Sequence, residues 1–151
     1  NRKALSSINL GSAKKQKRLL PEGDAKTRYQ SAFGYLRKRE FRKAELALKE
    51  FLTTHPDDPL VPNAMYWLGE TYYTRGKYED AAEIFISGYE HHSKSSKTPD
   101  NLLKLGLSLL KLERRADACI AFAQLLSEFP NSSKSLIRRA INERKRHGCA
   151  A

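Results

Sequence analysis

Apolar side chains return at steps of three and four along most of this chain, with polar residues filling the gaps. Leu102, Leu105, Leu109 and Leu112 form one such row, the spacing of one face of an α-helix. Read this way, the sequence predicts paired helices over about 25–38 and 41–54, 62–75 and 78–92, and 99–112 and 115–128, with a last helix over about 134–147. The boundaries carry their own chemistry. Asp24 stands where a carboxylate can cap the first helix, and Thr98-Pro99-Asp100 offers a hydroxyl cap, a proline at the first helical position and an acid in the first turn. Pro62 opens its helix in the same way, and Gly76 lies between paired helices, where a turn favours a residue tolerant of positive φ.

The pairs repeat. Ala44, Ala81 and Ala118 are 37 residues apart, as are Ala32, Gly69 and Gly106. The same step joins Tyr35, Tyr72 and Leu109, then Leu48, Phe85 and Phe122, then Pro56, Ser93 and Pro130. Several columns in register over three copies define a repeat protein. Small residues on both helices let two backbones approach, and the large ones fill the space between successive pairs.

The phrase Leu68-Gly69-x-x-Tyr72 followed by Ala81-x-x-x-Phe85 resembles the tetratricopeptide repeat (TPR). The first copy shows Tyr35, Ala44, Leu48 and Pro56, and the third shows Leu105-Gly106, Ala118, Phe122 and Pro130. The period exceeds the usual 34 residues, the extra residues falling in the connections HPDDPLVP and HHSKSSKTP. Trp67 adjoins Leu68 instead of preceding it by three, and Ser93 takes the place of a proline. The expected fold is all-α: an α-solenoid of three TPR-like hairpins over 25–58, 62–95 and 99–132, plus a C-terminal capping helix. Residues 24–148 make the domain, preceded by a basic, disordered linker over 1–23.

A narrower resemblance rests on PNAMYWLGETYY, GKYEDAAEIF, KTPDNLLKLGLSLLKLE and FAQLLSEFPNS. These are similar to the C-terminal domain of the periplasmic cell-division coordinator family of the Tol-Pal system. The resemblance implies binding to TolA and work alongside the peptidoglycan synthesis machinery, coupling outer-membrane constriction to septal wall synthesis. It also implies a trimer formed through an upstream coiled coil. Residues 1–20 show no heptad, so that coiled coil is expected to lie outside this chain, which, beginning at Asn1, is read as a piece of something longer. The alternative reading is a TPR scaffold subunit of an outer-membrane or pilus assembly machine.

In a TPR the first helix of each hairpin turns one stripe to the inside of the superhelix. Stepped from the helix starts, that stripe is Lys26, Tyr29, Phe33 and Leu36, then Asn63, Tyr66, Trp67, Glu70 and Tyr73, then Asp100, Leu103, Lys104, Leu107 and Leu110. Leu68, Gly69 and Tyr72 fall on the packing side. The predicted trough is aromatic, with acids at Glu70 and Asp100, and suits a partner segment carrying a basic residue or two. TPR domains that clamp a chaperone's C-terminal carboxylate use Lys, Arg and Asn in this stripe. Here Tyr29, Phe33, Tyr66, Asp100 and Leu103 hold most of those places, which argues against a cytosolic co-chaperone.

The formal net charge of +11 first suggests nucleic acid, until it is located. Residues 1–20 carry six Lys or Arg and no acid, and 134–147 carry six against one Glu. The remainder balances at 16 bases and 16 acids, so no nucleic-acid partner is expected. No apolar run is long enough to span a membrane. Cys119 reads as a small buried residue and Cys149 as an exposed one, with their pairing left open. His91 and His92 are adjacent and point apart on a helix, so they cannot share a metal as an i, i+4 pair does. With no phosphate-binding loop or nucleophile motif, no enzyme activity, cofactor or metal is expected.

Overall fold

The computed structural model describes residues 18–150. The expected linker lies, as far as residue 17, outside the described residues. Three hairpins and a last helix follow: α1 (Ala25–Arg37) with α2 (Phe41–Thr54), α3 (Val61–Thr74) with α4 (Tyr78–His91), α5 (Thr98–Lys111) with α6 (Arg115–Glu128), then α7 (Lys134–Arg146). The two helices of each hairpin pack together, and the second helix of each packs on the first helix of the next unit. This is the expected all-α solenoid. Its last helix stands one 37-residue period after α5, in the place of a further repeat's first helix.

The period is visible atom by atom in the connections. Each hairpin turn needs one left-handed residue, and the three are Arg39 (φ 60°), Gly76 (φ 75°) and Glu113 (φ 59°). Only one is a glycine, so the other two hold a backbone conformation that costs a side-chain-bearing residue about 1–2 kcal/mol. Between hairpins, the amides of Asp58, Ser95 and Ser132 donate to the carbonyls of His55, His92 and Phe129 at 3.1–3.2 Å. Asp58 Oδ1 then accepts from Leu60 N–H at 2.8 Å, and Ser95 Oγ from Lys97 N–H at 3.1 Å.

Side-chain caps are kept for the two ends of the stack. Asp24 accepts from Thr27 N–H at 2.9 Å and Ser133 from Leu136 N–H at 3.3 Å, capping α1 and α7. The expected cap at Thr98 is not formed. Thr98 is instead the first residue of α5 and donates to the His92 carbonyl at 2.6 Å. The preceding turn holds the helix start, which frees that hydroxyl to tie the connection down.

The core runs between the layers as a file of rings. Phe51, Phe85 and Phe122 are fully buried, each contributing about 1.5–3 kcal/mol by leaving water. A methyl added at Gly69 would collide with the Phe85 ring, and one at Gly106 with the Phe122 ring. In the first hairpin the same two places hold Ala32 and Leu48. A smaller filler there leaves room for one more carbon on the opposing helix.

The segment before α1 is part of the folded body from residue 19 onward. Glu50 accepts from the amides of Leu19 (2.8 Å) and Leu20 (3.3 Å), and Leu20 is buried. At the other end, Cys119 and Cys149 form a disulfide, with Cα atoms 5.6 Å apart. Both are half-buried, which corrects the sequence reading of one buried and one exposed cysteine. Arg144 donates to the Cys119 carbonyl at 2.8 Å beside the bond.

Candidate partner-binding wall

The first helices touch one another along the stack, α1 on α3, α3 on α5 and α5 on α7. Rings on these helices meet across the contacts, so their remaining faces make one wall. Tyr29 and Phe33 stack at 6.4 Å on α1, and Phe33 meets Trp67 edge-on at 5.1 Å across to α3. Trp67 meets Tyr66 at 5.0 Å, and Tyr73 meets Tyr78 at 5.2 Å. Perpendicular ring contacts of this kind are favourable beyond their burial.

The predicted site residues divide by depth. Tyr29, Phe33, Leu36, Asn63, Trp67, Glu70, Tyr73 and Asp100 are half-buried and reach the surface of the wall. Tyr66, Leu103 and Leu107 are only 6%, 7% and 6% exposed, which corrects the expectation that they face the trough. The cause is position. Helix α5 has neighbours on both sides, and Tyr66 is roofed by Lys97 and backed by Phe85. Those three residues form the floor. Burial raises the Tyr66 phenol well above its ordinary pKa, and the Glu70 and Asp100 carboxylates add to it. Tyr73 is raised too, by burial and by Tyr78.

Cations cover the rings. Lys97 Nζ sits 4.7 Å from the Tyr66 ring centre and 5.0 Å from that of Trp67. Lys104 sits 5.0 Å over Tyr73, Lys111 5.9 Å over Tyr78, and the Arg37 guanidinium 5.5 Å over Phe33. Lys104 also pairs with Glu70 at 3.2 Å. The acid expected to greet a basic partner is therefore already neutralised. Sequence reasoning placed Lys104 in the stripe but missed Arg37, Lys97, Lys111 and Tyr78. The seven-residue spacing of Lys97, Lys104 and Lys111, close to two helical turns, was the available signal.

Among the described residues, no group of three or more His, Cys, Asp or Glu is placed to hold a metal ion. His91 Nδ1–H donates locally to the Ser87 carbonyl at 3.0 Å. No described helix is long and apolar enough to cross a membrane.

Tetratricopeptide-repeat family models match residues 29–90 and 100–132. Among curated proteins, the cell division coordinator CpoB of Pseudomonas putida strain KT2440 is 38% identical over 48 residues, 32% of this chain and 18% of that protein. A second Pseudomonas putida CpoB sequence matches to the same extent. The match therefore spans less than a fifth of the length of those relatives. Two solved MamA structures, MSR-1 and AMB-1, are alike in fold, with TM-scores of 0.62 and 0.63 at 19% and 20% identity. They are matched over 95% of this chain and 74% and 70% of theirs. Repeat matches along most of the described residues, the helical hairpins and the columns of small and large residues agree: the chain belongs to the tetratricopeptide-repeat family.

Proposed function

We propose that this chain is a non-enzymatic protein-binding module of the Tol-Pal system, docking a segment of its partner against the Tyr29, Phe33, Trp67 and Tyr73 wall. The partner proposed is TolA. The role is to coordinate outer-membrane constriction with septal peptidoglycan synthesis during division, in the periplasm. The observation that carries the docking reading is the wall itself. A row of half-buried rings, Tyr29, Phe33 and Trp67, runs across two hairpins, and aromatic rows that are neither sealed nor scattered are typical partner surfaces. The CpoB relatives support the pathway. The Cys119–Cys149 disulfide supports an oxidising compartment.

Titration of the purified TolA periplasmic domain tests this, with calorimetry as the readout. Saturable binding at micromolar concentration is expected. Trp67→Ala should weaken it by about tenfold or more, the size expected for a central aromatic anchor, while circular dichroism stays unchanged. Absence of binding at tens of micromolar sinks the TolA assignment.

A further inference from the structure

The wall carries a charge pattern as well as an aromatic one, and the two are interlocked. Lys97, Lys104 and Lys111 recur every seven residues, so all three project from one side of α5. Each rests on a ring supplied by the preceding hairpin: Tyr66 and Trp67 for Lys97, Tyr73 for Lys104, Tyr78 for Lys111. Arg37 on Phe33 continues the series on α1. Seating a cation on a ring face holds its position without consuming all of its donors. Glu70 takes one contact of Lys104. Lys97 and Lys111 have no carboxylate partner within 4 Å among the described residues. Against Arg37, Lys97, Lys104, Lys111 and the Arg139 that also acts on Tyr73, the wall sets the carboxylates of Glu70, Asp100 and Glu143, leaving it net positive.

We propose that the segment received by this wall is an acidic peptide, with carboxylates meeting Lys97 and Lys111 and apolar side chains between them lying on Trp67 and Tyr73. This rests on the docking reading above and adds the chemistry of the partner. The spacing sets a register. Lys97 and Lys111 are separated along the helix by roughly 21 Å. An extended chain covers that span in about six residues, so acids about six apart can reach both lysines. Charge complementarity of this kind governs which partner is accepted and how fast it arrives. It reverses the sign that Glu70 and Asp100 suggest when read without their neighbours.

Trp67 is the only tryptophan in the chain, so its emission reports on the wall directly. Three tryptophan-free peptides of about twelve residues, long enough for this register, serve as probes. One carries Glu about six residues apart with Leu and Val between. The second replaces both acids by Lys, and the third by Gln. The acidic peptide is expected to bind about tenfold or more tighter than the other two at low salt. Its advantage should shrink as salt rises and vanish in the Lys97→Gln/Lys111→Gln protein. Lys111 is exposed and Lys97 half-buried, and neither is paired with a carboxylate among the described residues, so that variant should keep the parent's circular dichroism.

If the basic peptide binds as well as the acidic one, this inference falls while docking at the wall stands. If no peptide of either sign moves Trp67 emission, the docking reading falls and takes this one with it. A further arm uses phosphatidylglycerol vesicles. Vesicle binding that depends on the same two lysines, with no peptide binding, overturns the proposal in favour of an anionic surface.

Discussion

The joint between the first and second hairpins and the joint between the third hairpin and α7 are one contact built from different chemistry. Glu45, Ala82 and Cys119 are one column of the repeat, and Arg75, Leu112 and Cys149 are another. In the first joint Glu45, only 4% exposed, pairs with Arg75 across the hairpins and with Lys49 at 2.8 Å. In the middle joint Ala82 and Leu112 line one shallow cavity. In the last, Cys119 and Cys149 are bonded covalently. The two bonded pairs share a separation of 30 residues. The backbone geometry of the stack thus asks only that something bridge this place. The middle joint places apolar groups there, beside Glu79, Glu83 and Arg114, while the other two use an ion pair and a disulfide. Repeat arrays are stabilised largely by such nearest-neighbour terms.

The strongest break is at the covalent joint. Cys119→Ser, or reduction of the parent, should cost about 3.5 kcal/mol for a loop of this length, read as a lower urea midpoint. A reductant should have no further effect on the variant. An unchanged midpoint would mean that packing alone holds α7.

The charged joint is next. Glu45→Ala strands Arg75 and Lys49 and should cost about 1–3 kcal/mol. The double variant Glu45→Ala/Arg75→Leu should recover the part of that loss due to Arg75, because replacing both partners of a buried pair is often nearly neutral, while Lys49 stays without its carboxylate. The pH dependence sharpens the test. Burial by itself raises the Glu45 carboxyl, but the hydrogen bonds and charges of Lys49 and Arg75 outweigh it and lower the pKa from 4.5 to about 2. The folded state therefore binds the proton less readily than the unfolded one. The stabilisation is full above about pH 4.5 and is lost as pH falls towards about 2. The double variant should lose that part of the acid slope, measured by chemical unfolding at a series of pH values.

The smallest effect concerns the hairpin turns. Arg39→Gly and Glu113→Gly give the outer hairpins the turn residue of the middle one. Each should raise stability by about 0.5–1 kcal/mol, since relief of the left-handed strain is partly offset by a freer unfolded chain. Thermal unfolding of the single variants measures it.

What the sequence reveals here depends on whether the signal is carried within one helix or between two. Helix positions follow from apolar spacing, and the 37-residue columns correctly place Leu68, Gly69 and Tyr72 in the packing layer. The turn at Gly76 is legible because glycine announces it. Arg39 and Glu113 are silent as residue types, and only the period points to them. The aromatic row is visible for the same reason as the core. Its floor is not, because the burial of Tyr66, Leu103 and Leu107 depends on how closely α5 follows α3 and precedes α7. Lysines resting on rings of another hairpin are a property of packing, and so is the neutralisation of Glu70 by Lys104. The disulfide escaped because the two cysteines share no local motif, although they fall in the same columns as Glu45 and Arg75.

An ion pair keeps most of its attraction when its ends drift slightly, whereas a covalent bridge fixes its reach. The joint at Arg75 therefore tolerates small displacements of its two helices without losing its attraction, while the joint at Cys149 holds its two ends at one distance.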